Sequence, residues 1–496
     1  MDDLDAIPMT GTIQLPPAAR SLDALGRNHT LEAALAELVD NSIDAGARHV
    51  LMRFVQRDDK LEQLVVVDDG DGMSNADIDV AMTVGGERAY GDDEIGRFGF
   101  GLKAASFSQA SVLTVLSRRE RGPAAGRRWR LERAKQDYTC DIIDATYAEQ
   151  ALDHDWELPV GSSGTIVRWD AVKGFPQLAS DAENQRFLQD AFGRIRTHLG
   201  LIYHRLLSRG AVRLYLDVED ETEGLGQRIE VMPLDPFAYP RTGAAGWPKL
   251  LNVDSRPTLE LRCHIWPGRS ILEQFRLDGD LVSRQGFYVY VNDRLIQRGG
   301  WSGLLHQDRQ LNLARVELDV SGDVAEILSI KPEKNGVETG PRFAHLLRTA
   351  TADDGTTFQD YVEAARSTLT ASNRRQRERR KLIPPGTGFN PLVRRAIEGE
   401  VPLKDEQPIS IRWAPLADDC FFDIDRDEST IWLNKRYRSA LLGGRAGSLN
   451  DAPTIKLLLY LLFEEIFAGQ NIGPRDRDNM DLWQELLIAA AKAESR

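Results

Sequence analysis

An α+β fold in two units, followed by a tail of mixed helix and strand, is what this sequence predicts, and three observations carry it. At 496 residues the chain is too long for one core. Stretches with helical spacing and stretches with strand character are mixed along it, with no internal repeat and no low-complexity tract. Its 42% hydrophobic and 28% charged residues are those of an ordinary soluble globular protein, so each unit has the means to bury a core.

Residues 1–20 are polar, contain proline and lack periodicity, and form an N-terminal arm. The first unit takes residues 21–210. Thr30 is positioned to cap a helix whose apolar stripe is Leu31, Ala34, Leu35, Leu38, Ser42 and Ala45. Two strands follow, HVLMRFV and LEQLVVVDD, the second ending in a turn at Asp69–Gly72. Residues 73–100 are glycine-rich and long enough for a mobile loop or lid. A helix starts after Gly101, strands and turns run to about Asp170, and an amphipathic helix covers roughly 184–206. The second unit, 211–350, opens with the strand VRLYLDV and contains GFYVYVNDRLI. There Phe287, Val289 and Val291 alternate with Tyr288 and Tyr290. A charged helix spans 351–382, and IPPGTGFNP (383–391) is a linker. Residues 392–496 form a third α+β region, with strands ISIRW and STIWLNKRY and helices near 452–468 and 478–494.

The totals remove several function classes. A net charge of -14 argues against bulk electrostatic coating of nucleic acid, while leaving room for a local basic groove. Cys140, Cys263 and Cys420 are far apart and lack metal-site spacing, which points to a reducing, cytoplasmic setting. The start, MDDLDAIPMTG, is not a signal peptide, and the longest apolar run, LLLYLLF, falls far short of the ~20 residues needed to cross a bilayer.

Three segments carry the chemistry. In ELVDNSIDAG, Glu37, Asn41 and Asp44 share one flank of the helix, within ~60° of each other. Asp68-Asp69-Gly70-Asp71-Gly72 ends a strand, and Gly96, Gly99, Gly101 and Lys103 of GRFGFGLK open a helix. Taken singly, each has an ordinary structural explanation: solvated helix acids, a hairpin turn, glycines before a helix. Taken together they describe a nucleotide site. Glycines let backbone approach phosphates, a helix N-terminus offers free N–H groups to an anion, and Lys103 adds a positive charge. The amide oxygen of Asn41 suits Mg²⁺, which takes its other oxygens largely from phosphates. Glu37, one turn back, can take the proton from a water attacking the γ-phosphate. Asp68 can accept from the exocyclic amine of adenine.

The order and spacing of ELVDNSIDAG, DDGDGM and IGRFGFGLKAAS resemble the GHKL ATPase superfamily, which includes gyrase B, MutL, the large cytosolic heat-shock chaperone, histidine kinases and MORC proteins. GFGLKAASFS with ELVDNSIDA looks most like the prokaryotic MORC type, with MutL next. The resemblance covers roughly residues 20–345. It implies a Bergerat-type ATP-binding sandwich, helices on a mixed sheet, followed by a ribosomal-S5-like transducer domain. It implies Glu37 as general base, Asn41 as the magnesium ligand and Asp68 as the adenine reader. The ATP-binding set becomes Asn41, Asp44, Asp68, Gly70, Gly72, Met73, Gly96, Phe98, Gly99, Phe100, Gly101, Leu102 and Lys103. Thr165 of GSSGTIVRW matches the later Gly-Thr of the superfamily; an ordinary strand threonine is the competing explanation. In ILSIKPEKNGVE the γ-phosphate lysine of the second domain falls on Lys334, or on Lys331.

Arginines concentrate twice, including Arg127, Arg128 and Arg130 at a hairpin and Arg374, Arg375 and Arg379 on the charged helix. Interleaved glutamates make solvated faces the plain explanation of both. Clamps of the MORC and MutL type act on DNA, so these six are the candidate phosphate contacts. The expected protein is an ATP- and Mg²⁺-dependent ATPase that dimerises through its arm when ATP binds and closes on DNA. A protein-remodelling chaperone and a nucleotide-bound scaffold are the alternatives.

Overall fold

The computed structural model describes the chain apart from residues 1–28, 58–59, 84–100, 159–161, 177–180, 240–245, 254–258, 278–281, 321–323, 326, 331–335, 379–380, 444–446, 469–473 and 495–496. The expected arm therefore lies outside the described residues.

The first unit begins with Leu31–Asp44 (α1), His49–Arg57 (β1), Lys60–Asp68 (β2), Asn75–Met82 (α2) and Gly101–Gln109 (α3). Ala110–Arg118 (β3), Ala125–Arg130 (β4), Leu131–Asp137 (α4), Asp141–Ile143 (β5), Ala145–Leu152 (α5) and Gly164–Val172 (β6) follow. Asp181–Ile202 (α6), His204–Ser208 (α7), Arg213–Asp220 (β7) and the short Gly224–Leu225 (β8) and Ile229–Glu230 (β9) complete it. The strands form one mixed sheet in the order β5-β4-β3-β6-β2-β1-β7-β8, with β9 also on β7. Among the described residues, only the β1–β7 pairing in it is parallel.

Strands β1 and β2 read as almost unbroken apolar runs because both faces of the sheet are covered. Val50, Met52, Phe54, Leu64 and Val66 pack beneath α1 and α6. Leu51, Val55, Val65 and Val67 face the other way, against Ala148 and Leu152 of α5. Arg53 also falls in the interior, opposite Asp217 in the β1–β7 register. Its Nε and Nη2 donate to the two Asp217 oxygens at 2.8 and 3.0 Å, which removes the cost of burying either charge alone.

Three boundaries differ from the sequence expectation. VRLYLDV, expected to open the second unit, is β7 and completes the first sheet, because the α6–α7 crossover returns the chain alongside β1. The helix at 184–206 is divided at Tyr203, whose backbone (φ -107°, ψ 14°) leaves helical geometry. Within 73–100, Ser74 and Asp77 form a capping box and start α2, so part of the expected loop is helix.

The second unit contains Lys249–Asn252 (β10), Glu260–Ile265 (β11), Glu273–Arg276 (α8), Gly286–Val291 (β12), Arg294–Arg298 (β13) and Ala314–Asp319 (β14). Leu328–Ile330 (β15), Val337–Thr339 (β16), Pro341–Thr349 (α9) and Phe358–Glu378 (α10) follow. The main sheet has the order β10-β11-β14-β12-β13. The alternation in GFYVYV separates two cores rather than core from solvent. Phe287, Val289 and Val291 join the second unit's own core, while Tyr288 and Tyr290 reach the core of the first. The charged helix is not free-standing, since Tyr361, Val362, Ala365 and Leu369 of α10 are buried in that second core.

Pro391–Glu400 (α11), Ser410–Ala414 (β17), Phe422–Asp425 (β18), Thr430–Asn434 (β19), Arg438–Leu442 (α12), Pro453–Ala468 (α13) and Pro474–Glu494 (α14) build the third region. The expected linker at 383–391 belongs to this region: Ile383 and Phe389 are buried in its core, and Pro385 bridges to Ile409. No described helix is long and apolar enough to cross a membrane.

Candidate nucleotide site

Thr30 caps α1 as its sequence predicts, its Oγ1 accepting from the Ala33 N–H at 3.4 Å. Helical spacing then distributes the acids of ELVDNSIDAG over different surroundings. Glu37 is 8% exposed and Asp40 is fully buried, whereas Asn41 is exposed and Asp44 half-buried. Glu37 lies against the start of α3: a Cβ on Gly101 would come within 2.6 Å of Glu37 Oε2. Glycine at 101 thus admits the carboxylate to a helix N-terminus, where the peptide dipoles favour negative charge.

Asp68 ends β2 in a shell of hydrogen bonds. Its carboxylate accepts from Ser42 Oγ at 2.9 Å and from the Gly70 N–H at 3.0 Å. Burial nevertheless dominates and pushes its pKa up to about 6. Thr165, on the neighbouring strand β6, stands in register with Asp68. Its hydroxyl lies 2.8 Å from Ser117 Oγ, and Ser117 in turn accepts from the Met73 N–H at 2.8 Å. Asp69 points elsewhere: its Oδ1 accepts from the Arg48 and His49 N–H groups at 2.7 and 2.8 Å, tying the turn to β1.

The glycines of DDGDG are required by packing as well. Gly72 has φ +67°, and a Cβ there would sit 1.9 Å from the Arg118 carbonyl oxygen. Gly72→Ala combines left-handed strain with a clash against backbone, and should cost at least about 2 kcal/mol of unfolding free energy. Urea midpoints of the two proteins check this; equal midpoints would show that β3 yields to the methyl group.

Lys103, expected to place a positive charge at the phosphates, is buried in the fold. It is 2% exposed, and its Nζ donates to the Ala81 carbonyl at 2.8 Å, at the last turn of α2. Burial lowers its pKa to about 8. To meet a phosphate, Lys103 has to exchange that carbonyl for a phosphate oxygen. Leu102 is half-buried beside it. Gly96, Phe98, Gly99, Phe100, Lys331, Lys334 and Arg379 lie outside the described residues.

Among the described residues, no group of three or more His, Cys, Asp or Glu side chains could hold a metal ion. Asn41, exposed and next to Asp40, fits instead the Mg²⁺ pattern of one protein oxygen supplemented by phosphates and water.

Several of the candidate arginines are engaged within the fold. Arg127 is buried, with Nε donating to Asp79 at 2.7 Å and Nη2 to Asn75 at 3.1 Å. Arg128 Nε donates to Thr114 at 3.1 Å, and exposed Arg130 shares Asp141 with Arg133. Arg374 and Arg375 are exposed on α10.

Sequence reasoning assigned no role to four contributors. Ser42 passes for a member of an apolar stripe, and Ser117 for an ordinary strand residue. Asp40 and Arg294 meet across the two units, Asp40 Oδ1 accepting from Arg294 Nε and from Tyr203 Oη, each at 2.6 Å. Only the charge of a residue inside an apolar helix signalled Asp40.

Residues 29–159 match the family of histidine kinase-, DNA gyrase B-, and HSP90-like ATPases. The matched stretch runs from the cap of α1 past α5 and ends before Thr165. With the mixed sheet and its helices, it supports assignment of this region to the GHKL ATPase superfamily. A comparison with curated proteins finds no match.

Proposed function

We propose that this chain is an ATP- and Mg²⁺-dependent ATPase of slow turnover that dimerises on ATP and acts as a conformational clamp on DNA, in the manner of MORC- and MutL-type proteins. The observation that carries the nucleotide reading is the convergence of Glu37, Gly101, Asp68, Ser42 and Thr165 from α1, α3, β2 and β6. Asp68 reads the adenine amine, with Thr165 beside it. Glu37 accepts the proton of the attacking water, and Asn41 holds the metal, whose charge offsets that of the phosphates. Lys103, released from Ala81, and Lys334 of the second unit grip the terminal phosphate. These contacts differ between ATP and ADP, as a switch requires. Release rather than chemistry then limits turnover.

A second reading, a protein-remodelling ATPase with the same engine, draws support from the arginines. The hairpin cluster spends Arg127 on Asp79 and Arg130 and Arg133 on Asp141, in a chain of net charge -14. Sizing in solution with and without a non-hydrolysable ATP analogue, repeated with DNA over a salt series, tests both. A doubling of mass with nucleotide and DNA affinity falling steeply with salt are expected. A mass indifferent to nucleotide defeats the clamp, and dimerisation without DNA binding selects the remodeller.

A further inference from the structure

We propose that Arg294 of the second unit is a positioning residue for Glu37, so that hydrolysis depends on the second sheet being docked against α1; this rests on the reading of Glu37 as the base. Arg294 is the first residue of β13, directly after a two-residue hairpin turn whose Asn292 and Asp293 both have positive φ, 49° and 62°. That turn geometry suits the twist of the two strands and fixes where Arg294 emerges. Asp293 is held by Arg209, the C-cap of α7, at 2.5 Å and by Arg205 of α7 at 3.2 Å, so the turn is anchored to the first unit on its outer side. On its inner side Arg294 is 5% exposed and reaches α1.

One guanidinium there serves two acids a helical turn apart. Nε donates to Asp40 at 2.6 Å, and Nη2 stands 3.9 Å from Glu37 Oε1. On the other side Tyr203 Oη, with one proton to share between them, lies 2.6 Å from Asp40 Oδ1 and 2.8 Å from the Ala36 carbonyl oxygen. Asp40 is therefore satisfied and fixes the arginine, and the arginine presents its remaining positive edge to Glu37. Glu37 is thus located between Gly101 and a cation supplied by another unit. A shift of the second sheet would withdraw that cation and raise the proton affinity of the carboxylate.

Among the described residues, other groups close to this part of α1 are engaged elsewhere or uncharged. Lys103 of α3 is bound to the Ala81 carbonyl. His198 of α6 is kept neutral by burial and by Arg298 and Arg294, which push its pKa down to about 3. Asn41 and Asp40 share α1 with Glu37, the first uncharged and the second already paired.

Removing Arg294 alone would strand Asp40, so the test uses Arg294→Lys and the double variant Asp40→Asn/Arg294→Gln, which keeps hydrogen-bonding groups without a lone buried charge. Steady-state hydrolysis is measured across pH, and a non-hydrolysable ATP analogue is titrated into each protein. The double variant is expected to bind the analogue within about threefold of the parent, with kcat at least about tenfold lower. The acid limb of its kcat profile should rise by about one pH unit, with Arg294→Lys recovering part of the loss. A double variant with parental kcat and acid limb overturns the proposal. So does a kcat loss matched by an equal loss of binding with the limb unmoved, the result for a merely structural pair. Glu37→Gln run alongside separates the two readings. If it abolishes hydrolysis while the double variant is unaffected, only the role of Arg294 fails; if it hydrolyses normally, the base assignment fails first.

Discussion

Glu37→Gln is expected to lower ATP hydrolysis by about 10²- to 10⁴-fold while leaving nucleotide affinity within a factor of a few. The substitution is close to isosteric, which matters here because the Glu37 side chain is nearly buried and presses on Gly101. Glutamine keeps that packing and a carbonyl oxygen facing the start of α3, but it cannot take a proton. In the proposed function adenine is read at the end of β2, on Asp68, and not through Glu37. Binding and chemistry should therefore separate: phosphate release nearly stops, whereas a titrated non-hydrolysable analogue still saturates the protein. Retained hydrolysis would place water activation on another group. A parent protein with no hydrolysis to lose would favour the scaffold.

The sequence made the site's local pieces legible and hid most of what joins them. The cap at Thr30, the stripe of α1, the turn after Asp68 and the helix running on from Gly101 depend on contacts within a few residues, and all appear where the spacing predicts. Position 203 was opaque for the opposite reason. Tyr203 interrupts a helix that its periodicity would continue, and its hydroxyl is bonded to Asp40 and Ala36, far away in the chain, which no local pattern announces. β7 was assigned to the wrong unit since a parallel partner can lie any distance back, and no local pattern marks β1 as its neighbour. Proline and glycine in 383–391 suggested a boundary, yet Ile383 and Phe389 between them supply core. The capping box at Ser74 and Asp77 is a different case, a readable local signal masked by the glycine-rich composition around it. Arg127 shows the limit of charge counting: a cluster seen in sequence says nothing of acids, such as Asp79, that fold onto it.

Asp68→Asn should stabilise the nucleotide-free protein at neutral pH even as it weakens adenine nucleotide binding. Burial raises the Asp68 pKa in the folded chain to about 6, from an ordinary 3.8. A raised folded value means that protonation favours the fold. The benefit is complete below about pH 4, falls away as pH rises through 6, and leaves an ionised carboxylate buried at pH 7.5. The difference corresponds to a penalty on the order of 3 kcal/mol. Asparagine escapes it without stranding a partner. Its oxygen can still accept from the Gly70 N–H, and its amide can donate to Ser42 Oγ, whose own proton remains free for the Leu38 carbonyl at 3.1 Å. Urea unfolding should show a gain of about 1–3 kcal/mol at pH 7.5 that shrinks towards zero near pH 4. Loss of a charged acceptor for the adenine amine should weaken binding by about 10- to 100-fold. A variant less stable than its parent at pH 7.5 would mean that the hydrogen bonds to the carboxylate outweigh its burial. The stabilised, poorly binding outcome would identify Asp68 as a group kept charged for a ligand at the expense of the fold, as expected where a site rather than a core selects the residue.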